Sequence, residues 1–199
     1  MSTQFTLPID DAYCPTMDNF VVGENLELVT FLRSPKAEFR GIWISGPRSS
    51  GRTHLLQAYC RAALQSGRQG IYLDCADLAV GASAQIQRAV NVASASDALV
   101  VLDNLGELQR DPRHEEALML IYQSLYAVEG EMLVCHDQSA RGVEFDLPDL
   151  NSRMRGFAHF ALVPLRDQGK AEVLTQRAHT KGYDLPDAVL EYWLRRGPR

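Results

Sequence analysis

Apolar and polar positions form two alternating patterns along the first 165 residues. Short runs that are almost purely apolar recur, and longer stretches with apolar residues at helical spacing lie between them. A continuous apolar run is typical of a strand that is covered on both faces, as in a parallel sheet. Strands are predicted around residues 42–44, 70–74, 98–102, 131–135 and 159–163. This alternation favours an α/β fold, a parallel sheet flanked by helices and joined by right-handed connections.

Helical periodicity and terminal residues mark the helices. They are predicted at about 25–32, 53–65, 84–92, 112–128, 168–181 and 186–196. Asp111 followed by Pro112 is a clear start signal, because Asp caps free amides and Pro tolerates the first helical turn. Residues 149–155 are predicted as a loop. From residue 166 onward the pattern is only helical, so we expect an extended tail at 1–15, an α/β domain at 16–165 and a helical segment at 166–199.

A glycine-rich loop joins the first predicted strand to the following helix. Gly46 is followed by four residues and then by Gly51, Arg52 and Thr53, which is the spacing of a phosphate-binding P-loop. Glycine lacks Cβ and lets the backbone approach a ligand closely, and free amides at a helix start favour anions. We therefore expect the amides of Ser50 through Thr53 to face phosphates, with the Thr53 hydroxyl on Mg²⁺. A glycine-rich turn without a ligand is the alternative.

Arg52 departs from the usual form of this motif, in which the residue is Lys. Arg keeps the positive charge, but it is bulkier and forked, so the two residues are not equivalent. We expect Arg52 to bind a β-phosphate and to be poorly suited to follow a γ-phosphate through hydrolysis. The loop therefore predicts nucleotide binding more strongly than it predicts turnover.

Two acidic residues follow other predicted strands. Asp103 comes directly after strand three, and Asp137 follows strand four after one further residue. The carboxyl ends of parallel strands share one edge of the sheet, and ligands of open α/β sheets bind at that edge. We expect both residues near the glycine-rich loop, with Asp103 as the carboxylate linked to Mg²⁺. Taken alone, Asp103 could equally be a capping residue.

Composition and charge narrow the classes of function. The 199 residues carry a formal net charge of -5, which argues against a protein whose main task is to coat DNA, and 46% are hydrophobic. A nucleotide or a protein partner suits this balance better. The four cysteines have no C-x-x-C spacing, no export signal is evident, and no apolar run approaches the length of a membrane span. We expect reduced thiols and a cytoplasmic location.

The N-terminal tail contains a short peptide with spaced anchor residues. Gln4 is followed by Leu7 and Ile9, and Pro8 prevents a helix from continuing through the segment. Such a peptide suits a pocket on another protein. A tail that folds back onto its own domain is an equally open interpretation.

These motifs, taken in chain order, resemble the AAA+ domain of the DnaA initiator clan. Residues 18–23 look like the adenine-binding box of DnaA, and residues 150–153 resemble the box that carries an arginine finger. The matching positions between them are Gly46–Thr53, Asp103–Asn104 and Asp137. The resemblance covers about residues 17–196, and it implies a P-loop sheet followed by a helical lid. We expect that lid, at 166–199, to be incomplete and to lack the sensor-2 arginine.

The resemblance also implies a role for each site residue. Arg153 would be an arginine finger presented to a neighbour's nucleotide, Asp137 would be sensor 1, and Thr53 and Asp103 would hold Mg²⁺. The implied nucleotide contacts are Val21 and Val22 at the adenine, and Pro47, Ser49, Ser50, Gly51, Arg52, Thr53 and His54 at the phosphates. AAA+ ATPases commonly have a second acid where this chain has Asn104, and Asn cannot act as a carboxylate base. We expect bound ADP, or ATP, with little turnover.

Within the clan, the chain is similar to regulators that inactivate DnaA. The N-terminal peptide looks like the segment by which they dock on the DNA-loaded sliding clamp; its residues are Gln4, Phe5, Leu7, Pro8 and Ile9. The implied role is an adaptor that, with the clamp, stimulates ATP hydrolysis by DnaA. DnaA and the clamp are the implied partners, DNA is contacted mainly indirectly, no membrane is involved, and a homodimer is expected. A helicase-loader-type ATPase and a P-loop relic that binds nothing are the alternatives.

Overall fold

Five parallel strands form one sheet in the computed structural model, which describes residues 14–78, 83–108 and 111–196. The strand order across the sheet is β2-β3-β4-β1-β5. The strands are β1 (Arg40–Ser45), β2 (Gly70–Asp74), β3 (Leu99–Asp103), β4 (Glu131–His136) and β5 (Ala158–Ala161). The predicted α/β fold and its five strands are confirmed, with ends that differ by one or two residues.

Helices cover both faces of the sheet. They are α1 (Leu26–Arg33), α2 (Arg52–Gln65), α3 (Cys75–Leu78), α4 (Ser83–Ala93), α5 (Pro112–Ala127), α6 (Pro148–Arg155), α7 (Asp167–Thr180) and α8 (Asp187–Arg196), with a 3₁₀ turn at Leu105–Leu108. Asp111 caps α5 as predicted, since its carboxylate accepts a hydrogen bond from the Arg113 amide. The sequence pattern missed α3 and the 3₁₀ turn, because four residues are too few to show a period.

The side chains of β1 show how the two faces of the sheet are filled. Ile42 and Ile44 are fully buried on the face covered by α1 and α2. Trp43 points to the other face, which α4, α5 and α6 cover, and its Nε1 donates a hydrogen bond to the Gln138 carbonyl (3.0 Å). Both faces are therefore dry, which explains why the strands read as continuous apolar runs.

The register brings the predicted polar residues to one edge of the sheet. Ser45, at the end of β1, pairs with His136 at the end of β4, and Leu102 of β3 pairs with Val134 of β4. Asp103 is the last residue of β3. The carboxyl ends of three neighbouring strands therefore carry Asp103, His136 and the glycine-rich loop, and this is the edge where ligands bind in such sheets.

Residues 149–155 form most of helix α6, so the loop prediction for this segment was wrong. Pro148 occupies the first turn, and Leu150 and Met154, four residues apart, are both buried against the core. The carboxylate of Glu115 on α5 is fully buried and accepts hydrogen bonds from the two amides that precede the helix (3.1 and 2.8 Å). A side chain from a distant helix thus supplies the cap, which local sequence does not show.

The last two helices lie against each other at the end of the chain, and α8 exposes three large apolar side chains, Val189, Tyr192 and Trp193. The division of the chain into a tail, an α/β domain and a helical lid stays a prediction. Within the described ranges, the structure contains no helix that is both long enough and apolar enough to span a bilayer.

Candidate functional site

The glycine-rich loop occupies residues 46–51, between β1 and α2. Gly51, the residue before α2, has φ +95°, a left-handed conformation that glycine adopts without strain. A Cβ on Gly46 would lie 2.9 Å from the Leu162 carbonyl oxygen, so a larger residue there would displace the chain that leaves β5. Both glycines are therefore required by the backbone path. The Ser50 amide donates to the Pro47 carbonyl (3.4 Å), whereas the amides of residues 51–53 have no acceptor within the described residues, as is usual at a helix start.

Ser50 and Arg52 carry polar groups that have no partner in the part of the chain that the structure describes. The Ser50 hydroxyl is buried without a hydrogen bond, and no carboxylate pairs with Arg52 there. A buried, unsatisfied hydroxyl costs about 1–3 kcal/mol, so a ligand oxygen at this position would be stabilised. A free guanidinium beside it adds the positive charge that phosphate needs.

Asp103 lies at the glycine-rich loop, as predicted, and bonds directly to Thr53; their role as Mg²⁺ ligands stays a prediction. The Thr53 hydroxyl donates to Asp103 Oδ2 across 2.6 Å, and Asp103 is fully buried. The described residues contain no cluster of three or more His, Cys, Asp or Glu side chains that could hold a metal alone. This fits Mg²⁺, which commonly takes one or two protein oxygens and completes its shell with waters and phosphates. The pair can hold Mg²⁺ together with a nucleotide.

Tyr72 on β2 is a site residue that sequence reasoning missed. Its hydroxyl donates to Asp103 Oδ2 across 3.0 Å. Burial, and then the neighbouring Asp103 carboxylate, raise the pKa of Tyr72 far above its ordinary value, so the hydroxyl stays a donor. The pairing of β2 with β3 creates this contact, and no local motif signals it.

Asn104 is held by a second carboxylate from β2. Its Nδ2 donates to Asp74 Oδ1 across 3.0 Å, and its backbone has φ +53°. The backbone amide of Asn104 also donates to Asp103 Oδ1 (2.9 Å). The side chain is therefore engaged in a structural bond, and it carries no carboxylate with which to activate water.

His136 and Asp137 lie beside the loop at the end of β4. Asp137 Oδ1 is 2.8 Å from His136 Nδ1, and the Gln138 amide also donates to that nitrogen (2.8 Å). The two contacts need opposite protonation states of His136 Nδ1, because the nitrogen must carry a proton to donate to Asp137 and must be unprotonated to accept from Gln138. Burial lowers the pKa of His136, Asp137 raises it and Arg52 lowers it further, so the net lowering favours a neutral ring that accepts from Gln138. Asp137 itself is largely exposed, and its assignment as sensor 1 stays a prediction.

The predicted adenine box lies against the loop. The Phe20 ring would be 3.5 Å from a Cβ on Gly51, and it lies 5.6 Å from the His54 ring, centroid to centroid. Val21 is buried and Val22 is half-buried, so Val22 is the valine of this pair that keeps apolar surface exposed. An apolar surface beside the phosphate site is what a purine ring requires.

Asn25 ties this box to the end of the sheet. Its amide donates to the Val163 carbonyl (2.9 Å), and its oxygen accepts from the Val163 amide (2.7 Å). The same side chain donates to the Val22 carbonyl (3.1 Å). The apolar surface therefore has a fixed position relative to β5 and to the helices that follow it.

His54, the last of the predicted phosphate contacts, sits at the third position of α2. Its Nε2 lies 3.4 Å from the Thr16 carbonyl. Burial lowers the pKa of His54, the Thr16 contact raises it, and Arg177 lowers it, with a net lowering. The ring therefore links α2 to the segment that precedes the adenine box.

Arg153 lies far from the glycine-rich loop of its own chain. It sits in a cavity of about 380 Å³ that also includes Gly41, near the amino end of β1. A six-residue strand spans roughly 17 Å, so this is the opposite end from the P-loop. The guanidinium is 5.6 Å from the centre of the Tyr122 ring and 3.7 Å from Asp149, and the side chain is 48% exposed. Arg153 is thus held on the surface, where another molecule can reach it.

The predicted clamp-binding residues Gln4, Phe5, Leu7, Pro8 and Ile9 lie outside the described residues. Their role stays a prediction.

The fold and this site together define a class. The chain superposes on a DNA replication initiation factor with a TM-score of 0.78 at 23% identity, covering 92% of this chain and 59% of that one. It superposes on AMPPCP-bound DnaA from Aquifex aeolicus with a TM-score of 0.73 at 24% identity, covering 90% and 59%. The chain therefore has the DnaA-like AAA+ fold, and it spans less than two thirds of the length of these structures.

Sequence comparison shows to which family the chain belongs. No family model matches it. It is 30% identical over 200 residues to an uncharacterized protein of Haemophilus influenzae, a match that covers 98% of this chain and 84% of that protein. The chain belongs to the same family as this protein.

Proposed function

We propose that this chain is a nucleotide-bound regulator of replication initiation of the Hda type, which inactivates DnaA. In this proposal it binds an adenine nucleotide with Mg²⁺ at the P-loop. It then presents Arg153 to the nucleotide of a DnaA neighbour. The observation that carries the proposal is the position of Arg153 at the end of β1 opposite its own P-loop, half-exposed and held by Tyr122.

The nucleotide part of the proposal rests on the polar groups at the loop. The free amides of residues 51–53 and the Arg52 guanidinium would bind the phosphates, and the Ser50 hydroxyl would gain its missing partner. Thr53 and Asp103 would hold Mg²⁺, which supplies charge neutralisation at the phosphates. The solved DnaA structure with AMPPCP adds support for a nucleotide in this fold. We favour ADP, because Arg52 and Asn104 suit binding better than hydrolysis.

The finger part of the proposal rests on electrostatics in the partner's site. A guanidinium placed against a γ-phosphate stabilises the charge that develops in the transition state, an effect of about 10³-fold or more in GTPases. Arg153 keeps a fork of donors suited to phosphate oxygens, since Asp149 at 3.7 Å forms only a loose, exposed pair with it. The replication-initiation names of the fold neighbours make DnaA the proposed partner.

A self-sufficient ATPase of the helicase-loader type is the second candidate, and the intact Thr53–Asp103 pair favours it. Turnover by the pure protein separates the two. The adaptor should hydrolyse ATP slowly alone and should accelerate hydrolysis by DnaA, whereas a self-sufficient ATPase should turn over without DnaA.

The decisive experiment measures ATP hydrolysis by DnaA with this chain, the sliding clamp and DNA, omitting each component in turn. We expect stimulation only in the complete mixture. A chain carrying both Gln4→Ala and Leu7→Ala should lose clamp binding in a pull-down and lose stimulation, while it keeps its nucleotide affinity. Stimulation that persists without the clamp, or with this variant, would contradict the clamp part of the proposal. No stimulation in any mixture would contradict the whole.

A further inference from the structure

A second large cavity lies away from the P-loop, in the groove between α1 and α2. Its volume is about 850 Å³, and segment 16–18 closes one side. The apolar part of its lining comes mainly from α2, and consists of Met17, Leu32, Pro35, Ala58, Tyr59, Ala62 and Ala63. No residue of the glycine-rich loop lines this α1/α2 groove, so it is separate from the nucleotide site.

The lining of the groove is strongly basic, although the whole chain has a net charge of -5. Its basic side chains are Arg33, Lys36, Arg40, Arg61 and Arg68. The carboxylates against them are Asp18 and Asp97 in the lining, with Glu131 bonded to two of the arginines. The groove therefore carries an excess of positive charge, within a chain whose net charge is negative.

The buried Glu131 fixes two of these cations. Its carboxylate pairs with Arg40 Nε (2.7 Å) and with Arg68 Nη1 (3.0 Å), and it accepts a hydrogen bond from the Tyr59 hydroxyl (3.0 Å). Asp97 pairs with both Lys36 (2.7 Å) and Arg68 (3.1 Å). Each carboxylate is thus shared between two cations. The sharing holds the side chains of Lys36, Arg40 and Arg68 in place, but two carboxylates do not neutralise three cations.

Two guanidinium nitrogens in this lining have no hydrogen-bond acceptor within the described part of the chain. They are Arg61 Nε and Arg68 Nη2, and both are buried. Arg61 also has no carboxylate partner among those residues. Buried charged donors without acceptors are costly, so a small rotation that brings them onto an anion in the groove would be favourable.

We infer that the α1/α2 groove binds a small phosphate-bearing anion, with Arg61 and Arg68 as its main contacts. Guanidinium groups bind phosphate oxygens in pairs, which a single surface lysine cannot do. The volume lies within the range of pockets that enclose nucleotide-sized ligands, and the apolar wall of α2 leaves room for an organic part. This inference does not depend on the function proposed for the P-loop.

Residue-resolved NMR tests the inference, because it separates the groove from the P-loop in one titration. Pyrophosphate is added to ¹⁵N-labelled protein at constant ionic strength. The Nε–H signals of Arg61 and Arg68 and the amides of 51–53 are then followed. We expect saturable shifts at both arginines. A second titration with the oligonucleotide dT4 distinguishes a free phosphate from a phosphodiester backbone, and tighter binding of dT4 would assign the groove to nucleic acid phosphates.

Two variants make the result specific. Arg61→Gln should weaken binding at the groove about tenfold or more, because it removes a charge-assisted contact, and should leave the shifts at 51–53 unchanged. Arg88→Gln, on α4 across the sheet, is the matched control and should change neither site. Shifts confined to residues 51–53 would overturn the inference. It would equally fail if sodium chloride alone reproduced the shifts at the arginines, or if the shift at Arg68 persisted undiminished in Arg61→Gln.

Discussion

The two ends of β1 are built in opposite ways. At the carboxyl end, the Ser50 hydroxyl and the Arg52 guanidinium are left without partners among the described residues. Near the amino end, Glu131 is shared among Arg40, Arg68 and Tyr59. Unsatisfied polar groups cost stability unless a ligand bonds to them, whereas a buried carboxylate shared by several donors holds those donors in place. The carboxyl end thus leaves polar groups open to a ligand, whereas the other end first fixes its cations on a buried carboxylate of the chain itself, beside the α1/α2 groove.

Arg153 belongs to neither description. It lies near the amino end of β1, yet its side chain is half-exposed and only loosely paired with Asp149. The Arg153 guanidinium lies over the Tyr122 ring, and that ring packs against Phe39 and Phe157. A guanidinium that is held in place and still accessible is suited to reach the nucleotide site of a partner.

The largest expected effect is on the partner. Arg153→Ala should fold and bind nucleotide normally but should lower the stimulation of ATP hydrolysis by DnaA by about 10³-fold. Arg155→Ala, two residues away on the same helix, is the control and should stimulate like the parent. Full stimulation by Arg153→Ala together with loss in Arg155→Ala would reassign the finger, and full stimulation by both would exclude a finger on α6.

Next in size is the loss of the buried ion network. Glu131→Gln leaves two guanidiniums facing an uncharged amide, and we expect a loss of about 3 kcal/mol in the free energy of unfolding in urea. The control is Glu191→Gln, which removes an exposed pair with Arg195 and should cost less than about 0.5 kcal/mol. Equal effects of the two variants would show that the network contributes no more than a surface pair.

A smaller effect in free energy is expected at the P-loop. Gly51→Asp places a carboxylate at the phosphates and a side chain at φ +95°, so ADP affinity should fall at least about tenfold. Gly67→Asp is a matched control, because Gly67 has φ +88° and open space around it at the far end of α2. It shares the backbone strain but not the site. Fluorescent-nucleotide titration measures both variants, and unchanged ADP affinity in Gly51→Asp would place the nucleotide elsewhere.

The smallest predicted effect is a dependence of stability on pH. Burial lowers the pKa of His136 below its ordinary 6.5, so the unfolded chain binds the proton more readily than the folded protein. This contribution to stability is complete above pH 6.5 and is lost as the pH falls toward the pKa of the folded state. His136→Gln should therefore flatten the decline in urea midpoint below pH 6.5, and His179→Gln, at an exposed site on α7, should leave it unchanged. An equal decline in parent and His136→Gln would contradict the assignment.

Much of the site followed from short sequence patterns. The spacing from Gly46 to Thr53 can be recognised from eight consecutive residues, and the position of Asp103 from the apolar run that precedes it. Asp103 was predicted to lie near the glycine-rich loop because parallel strands bring their carboxyl ends together, and in the structure its carboxylate is 2.6 Å from the Thr53 hydroxyl. These features are local, or follow from one rule of sheet topology.

Other features depend on which elements become neighbours. Tyr72 reaches Asp103 only because β2 pairs with β3 in one register, and α6 forms where Glu115 from α5 caps its start. The i, i+4 spacing of Leu150 and Met154 was a signal for α6 that the Pro- and Asp-rich composition of the segment obscured. A pairing register and a distant cap are set by packing over the whole domain, and they leave no periodic trace in the sequence.

The α/β class, the strand positions, the glycine-rich loop and the candidate residues for phosphate and Mg²⁺ could all be predicted from the sequence. These properties follow from periodicity and from backbone chemistry that acts over a few residues. Only the tertiary structure decided that Arg153 lies at the opposite end of β1 from the loop, and that α1 and α2 enclose a basic groove. Both depend on the strand order of the sheet and on the helices packed against it, because these set the distances between residues far apart in the chain.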